Sequence, residues 1–96
     1  NRFYTEIHPL THRDEELRER FDRLKRQGAE RMATFIELGQ QSGHLRKEPD
    51  PTTAAVLMIN ALELLGAHVL QRPGSETERM LHELTDMFRR YLMEDR

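Results

Sequence analysis

Residues 51–71 read PTTAAVLMINALELLGAHVLQ, and where that stretch can hide its apolar surface decides the fold. Asp50 can cap a helix here, and Pro51 fits the first helical position because it has no amide to leave unpaired. Pro73-Gly74 stops the run. At about 100° per residue, the apolar side chains sweep from Leu57 through Ala61, Ala54, Leu65, Met58, Val69, Leu62, Ala55 and Gly66 to Ile59. That arc is roughly 200° wide, twice the stripe of an ordinary surface helix. Thr53, Asn60, Glu63 and Gln71 mark the polar side. Such a helix has to be covered from two directions. Asn60, Glu63 and His68 interrupt it, so it falls short of the run of about 20 apolar residues that a bilayer span requires.

Upstream, Leu17, Phe21, Leu24, Gly28, Met32, Phe35, Ile36 and Gly39 keep steps of three and four. This spacing predicts one long amphipathic helix over Thr11–Gln41, with Thr11-x-x-Asp14 as a capping box and Asp14, Glu15 and Glu16 at the positive end of the dipole. Asp14–Arg18, Glu16–Arg20, Glu19–Arg23 and Asp22–Arg26 are i,i+4 pairs in the favourable order, worth about 0.2–0.5 kcal/mol each. Gly28 costs about 1 kcal/mol relative to alanine, which points to a close approach of another helix or to a weak point in this one, the first being the commoner. Ser42-Gly43 ends the element, with Gly43 as the left-handed cap. Before it, Phe3, Ile7 and Leu10 share a helical face, and His8-Pro9 is read as a turn between the tail of an earlier helix and the long one.

Downstream, Ser75-x-x-Glu78 is a capping box. Met80, Leu81, Leu84, Met87, Phe88, Tyr91 and Leu92 form the apolar face of a last helix. Strand-like alternation is absent, so the class is all-α.

The chain has 96 residues, 36% hydrophobic and 33% charged, which is enough for one domain spanning 1–96 and too little for two. It has no cysteine, so disulfides and thiolate zinc sites are excluded. With 15 Lys+Arg against 17 Asp+Glu, net charge gives no support for a phosphate-binding face. A secretory signal is not evident, an initiator methionine is absent, and a fragment of a longer intracellular protein is the expectation.

Each fully buried Leu, Met or Phe contributes about 1.5–3 kcal/mol. Leaving half a dozen in water would forgo on the order of 10 kcal/mol, comparable to the whole stability of a small domain. The last two helices are therefore expected to pack against their own copies, two from each chain, in a four-helix dimer bundle. A further part of the same chain, or another protein, is the alternative cover.

The order of signals resembles the C-terminal half of TetR-family transcriptional regulators. Glu30-Arg31-Met32-Ala33-Thr34-Phe35-Ile36-Glu37-Leu38-Gly39 lies in the long helix; Gly43-His44-Leu45-Arg46, Asp50-Pro51 and Ala54-Ala55 follow, then a broad apolar helix ending near Leu65-Gly66. The resemblance covers roughly residues 11–93. It implies a homodimeric, ligand-responsive regulator whose N-terminal helix-turn-helix domain, absent from this sequence, reads operator DNA. It places the dimer helices at 51–71 and 75–93, with Leu57, Ala61, Leu64, Leu65, His68, Met80, Leu84, Met87, Phe88 and Tyr91 as interface candidates. It places a pocket for a small, largely apolar effector on the inward face of the long helix, at Phe21, Met32, Phe35 and Ile36, with Met58 and Leu62 opposite. The interface residues read equally well as core, and the pocket stripe reads more readily as core than as a site.

Catalytic or metal chemistry finds little purchase. His8 and His12 have i,i+4 spacing but fall across the expected turn, and His68 and His82 lie on different helices. Ser42 and Ser75 are explained by helix ends, and the glycines form no phosphate loop. Neither enzyme, cofactor nor metal is expected. The competing function is a stand-alone helical module that binds a different protein.

Overall fold

The structure is a computed structural model. It describes the backbone of residues 2–71, 74 and 76–93, and the side chains of 14–71, 74 and 76–93. The described residues form three helices: α1 (Arg2–Gln41), α2 (Pro51–Gln71) and α3 (Glu76–Met93).

α1 is longer than the sequence predicts. Its 40 residues run without a break through His8-Pro9, so the expected turn and the Thr11 start are both corrected. A proline inside a helix removes one backbone bond, here the one to the carbonyl of Thr5, and its ring crowds that carbonyl, at a cost of about 3 kcal/mol. The apolar phase of the sequence likewise carries on through the proline. Phe3, Ile7 and Leu10 continue into Leu17, Phe21, Leu24 and position 28 in unbroken steps of three, four and seven. At about 1.5 Å per residue such a helix is as long as the molecule, whose extents are 61 × 32 × 14 Å.

The end of α1 is fixed as its residues require. Gly43 has φ 85°, the left-handed conformation that costs glycine least. The Gly39 carbonyl accepts from the amides of His44 (2.9 Å) and Leu45 (3.0 Å), satisfying a carbonyl the helix would leave unpaired. Gln40, buried, donates from Nε2 to the Pro49 carbonyl at 2.7 Å and ties the connector to α1. Asp50 then caps α2: its Oδ2 accepts from the Thr53 amide and hydroxyl, both at 2.9 Å. Those bonds, the amide's first, hold its carboxyl below the ordinary value of 3.8. The Ser75 cap and the Pro73 stop lie outside the described residues; the Thr77 amide donates to the Gly74 carbonyl at 3.2 Å.

α2 lies between α1 and α3 and touches both. Ala54 and Ala55 have no exposed surface and meet Ile36 and Leu92 in the buried core. Two alanines at the start of α2 let the helices close there. Ala29, Met32, Ala33, Leu45, Met58 and Tyr91 pack round this cluster. Gly28 has no such role: a Cβ built on it would meet only Ile59 Cδ1, at 3.9 Å. That is ordinary contact, so the close approach expected at Gly28 is not what the glycine serves. The tight glycine is Gly39, where a Cβ would lie 2.6 Å from Leu45 Cδ1.

The 14 Å extent is little more than one helix thick. The domain is a single layer with two broad faces, and much apolar surface stays open. Leu64 is 71% exposed, Phe35 74% and Leu70 86%.

Candidate functional site

Two apolar recesses flank the contact between α2 and α3. The first is a cavity of about 310 Å³ lined by Met58, Leu62, Leu84, Thr85, Phe88, Arg89, Leu92 and Met93. The second is a groove of about 520 Å³ lined by Ala61, Leu64, Leu65, His68, Met80, Glu83, Leu84 and Met87. On a helix turning about 100° per residue, Met58 and Leu62 point well away from Leu64 and His68. On α3, Phe88 and Leu92 likewise diverge from Met80 and Met87. The recesses therefore open on opposite sides of the layer, and Leu84 lines both.

The broad arc of α2 makes this possible. An ordinary amphipathic helix has one apolar stripe to bury; α2 has enough for α1, α3 and both recesses. α3 supplies the other wall because Leu84, Phe88 and Leu92 recur at four-residue steps beside the Met80–Leu84–Met87 row.

The candidate interface residues fall mostly together. Ala61, Leu64, Leu65, His68, Met80, Leu84 and Met87 all line the groove. Leu57 is half exposed and lies one helical turn before Ala61. Phe88 lines the cavity instead, and Tyr91 packs against the core. The Phe88 and Tyr91 rings meet edge to face at 6.4 Å. The candidate pocket residues separate. Met58 and Leu62 line the cavity, Ile36 is buried in the core with Met32 against it, and Phe21 and Phe35 are exposed on α1. Sequence reasoning missed Thr85, Arg89, Leu92 and Met93. The four-residue recurrence through Phe88 and Leu92 was the available signal; it was read wholly as interface and helix face.

Polar groups around the cavity are committed. The Thr85 hydroxyl donates to the Leu81 carbonyl at 2.8 Å. Arg89 Nη2 donates to Asp86 Oδ1 at 2.7 Å, and Arg90 Nε lies 3.0 Å from Asp86 Oδ2. The Arg89 bond is the main reason the Asp86 carboxyl sits below its ordinary range, with Arg90 adding to it. In the groove, His68 Nε2 is buried without a hydrogen-bond partner, an arrangement folded proteins rarely leave unmet.

A third recess, of about 400 Å³, lies between α1 and α2 beside Lys25, whose ammonium donates to Glu63 (3.1 Å) and Asn60 (3.4 Å). α2 is long and apolar enough to cross a membrane by length and composition alone; Glu63, midway along it and paired with Lys25 of α1, is what a bilayer interior disfavours. Among the described residues, three or more His, Cys, Asp or Glu side chains nowhere come together as a metal site.

Comparison with known proteins places the chain. A family profile described as "Tetracyclin repressor-like, C-terminal domain" matches residues 3–92. No curated protein and no solved structure matches it significantly. The family is one of regulatory domains, in which homodimers and ligand binding are typical. With nearly its whole length under the profile and three helices in the expected order, the chain belongs to the tetracyclin repressor-like C-terminal domain family.

Proposed function

We propose that residues 1–96 form the single regulatory domain of a cytoplasmic TetR-family regulator. It pairs with a second copy through the groove and takes a small, largely apolar effector in the cavity on the opposite face. DNA reading belongs, in this account, to an N-terminal helix-turn-helix domain outside this sequence. The chain is regulatory rather than catalytic.

One observation carries this reading: two apolar recesses lie on opposite sides of one α2–α3 pair, and each suits a different occupant. Along the groove, Ala61, Leu64 and His68 are spaced three and four, with Leu57 one turn before them. On α3, Met80, Leu84 and Met87 are spaced four and three. That is the seam spacing of packed helix bundles. A two-fold partner would present the same seams in return, bury Leu64 and Met87, and offer His68 Nε2 a polar neighbour. The cavity has the opposite character. It is small, walled by methionine, leucine and phenylalanine, and its polar rim is already hydrogen-bonded. Cavities of about 300 Å³ and upward, mostly apolar, suit small molecules.

Charged substitutions on the two faces test the assignment reciprocally. Leu64→Glu is expected to abolish dimers in sedimentation while leaving uptake of the neutral fluorophore N-phenyl-1-naphthylamine. Leu62→Glu is expected to abolish fluorophore uptake while leaving dimers. If either substitution abolishes both properties with the helices intact, or neither, the division of the two faces is wrong.

A further inference from the structure

The effector cavity and the dimer groove have one side chain in common, Leu84, and the helix that carries it is fastened at one end. Leu92 is the buried residue of α3 among those described. Beside it, the Arg46 amide donates to the Leu92 carbonyl at 2.7 Å and Arg46 Nη1 donates to the Tyr91 carbonyl at 2.9 Å. These bonds clamp the C-terminal end of α3 to the connector that follows α1. Towards its other end α3 is lightly packed: Met80 and Leu81 are 39% and 45% exposed. α2 has no such freedom. Its first turn is locked by Ala54 and Ala55 in the core, and Lys25 holds Glu63 and Asn60 further along.

We propose that filling the cavity tilts α3 about the Leu92–Arg46 clamp and thereby sets the strength of self-association through the groove. The proposal rests on the reading above, in which the cavity takes the effector and the groove a second copy. The lever follows from the placement of the parts. The cavity lies between α2 and α3 close to the clamp, lined by Leu92, Phe88 and Leu84. The groove lies further out, lined by Leu84, Met87 and Met80. A molecule that widens the α2–α3 contact near the clamp displaces the far end of α3 most. Packed helices respond to such wedging as rigid bodies rather than by spreading the strain. Met58 and Met93 in the cavity wall are unbranched thioether chains that can adapt to an occupant. Leu84 is the partition, so any occupant that moves it alters the floor of the groove.

The test is sedimentation equilibrium of the intact chain with and without saturating N-phenyl-1-naphthylamine, its binding followed by fluorescence. In the wild type the fluorophore is expected to change the dimer dissociation constant by about fivefold or more, the usual range of coupling between sites. Leu84→Ala, which joins the two spaces, is expected to bring that ratio to within about twofold, below that range. Leu84→Met keeps the partition and is expected to retain the ratio, as is Leu81→Ala, a control that lines neither recess. The wild-type ratio decides the matter even if Leu84→Ala does not fold. If the fluorophore binds, the dimer forms and the ratio stays at one, the coupling is overturned and the assignment of the faces stands. If fluorophore or dimer is absent altogether, the assignment itself fails and the coupling with it.

Discussion

Gly39 carries no side chain where the isobutyl group of Leu45 rests: a Cβ there would lie 2.6 Å from Leu45 Cδ1 and 2.7 Å from its Cγ. The chain reverses direction after Gly43 and lays Leu45 back on α1, against the core. Gly39→Ala is therefore expected to destabilise the domain by about 1–3 kcal/mol, the usual cost of overpacking. Gly28→Ala should do the opposite. It meets only Ile59 at ordinary contact distance and gains about 0.4–1 kcal/mol by restricting the unfolded chain. Urea unfolding midpoints of the two variants, moving in opposite directions, check both statements.

The core is small, so its members carry unequal weight. Ile36 is 3% exposed and its neighbour Phe35 is 74% exposed. Ile36→Ala is expected to cost about 2–5 kcal/mol. Phe35→Ala should remain within about 0.5 kcal/mol of wild type, as surface substitutions do. Denaturant unfolding of the pair separates this account from one in which Phe35 is a packed pocket residue of the isolated chain.

Asp50 gives the fold a pH dependence of definite sign. Its carboxyl is held below 3.8 by the Thr53 amide and then the Thr53 hydroxyl, so on acidification the unfolded chain takes up the proton first. The stability it contributes is complete above the ordinary carboxylate range and is lost as pH falls through the lowered native value. Asp50→Asn keeps a capping acceptor without the titration. Thermal melts from pH 6 down to pH 2 should show the wild type losing more stability over the acid limb than the Asn variant. Equal losses would contradict the assignment.

The Lys25–Glu63 bridge joins α1 to α2 at 3.1 Å, with side chains 31% and 37% exposed. A double-mutant cycle to alanine is expected to give a coupling of about 0.2–1 kcal/mol, the range for pairs this open to solvent. It should shrink between 0.05 and 1 M salt as screening takes effect.

The three helices and their connectors were legible because each signal is local. Asp50-Pro51 starts a helix, Gly43 ends one, and the arc of residues 51–71 requires cover on more than one side. Pro9 misled because a proline reads locally as a stop, whereas the signal for continuation, the phase Phe3, Ile7 and Leu10 share with Leu17, Phe21 and Leu24, extends past it. Gly28 misled for a related reason: a glycine in a sequence does not say what stands opposite, and here it is one methyl group at contact distance. Most of the groove was legible, since the seam on each helix repeats at fixed spacing. The cavity was not, because it depends on how α3 is rotated against α2. Phe88 serves that face while Met87, its neighbour in sequence, serves the other.

Sedimentation equilibrium of the unmodified chain over a wide micromolar range tests the central claim most directly. A mass approaching twice the 11.4 kDa of the chain, falling to a single chain's mass for Leu64→Glu with its helical circular dichroism preserved, is the predicted result. A wild-type chain that stays monomeric and fully helical throughout, with Leu64 and Met87 left in water, would contradict it.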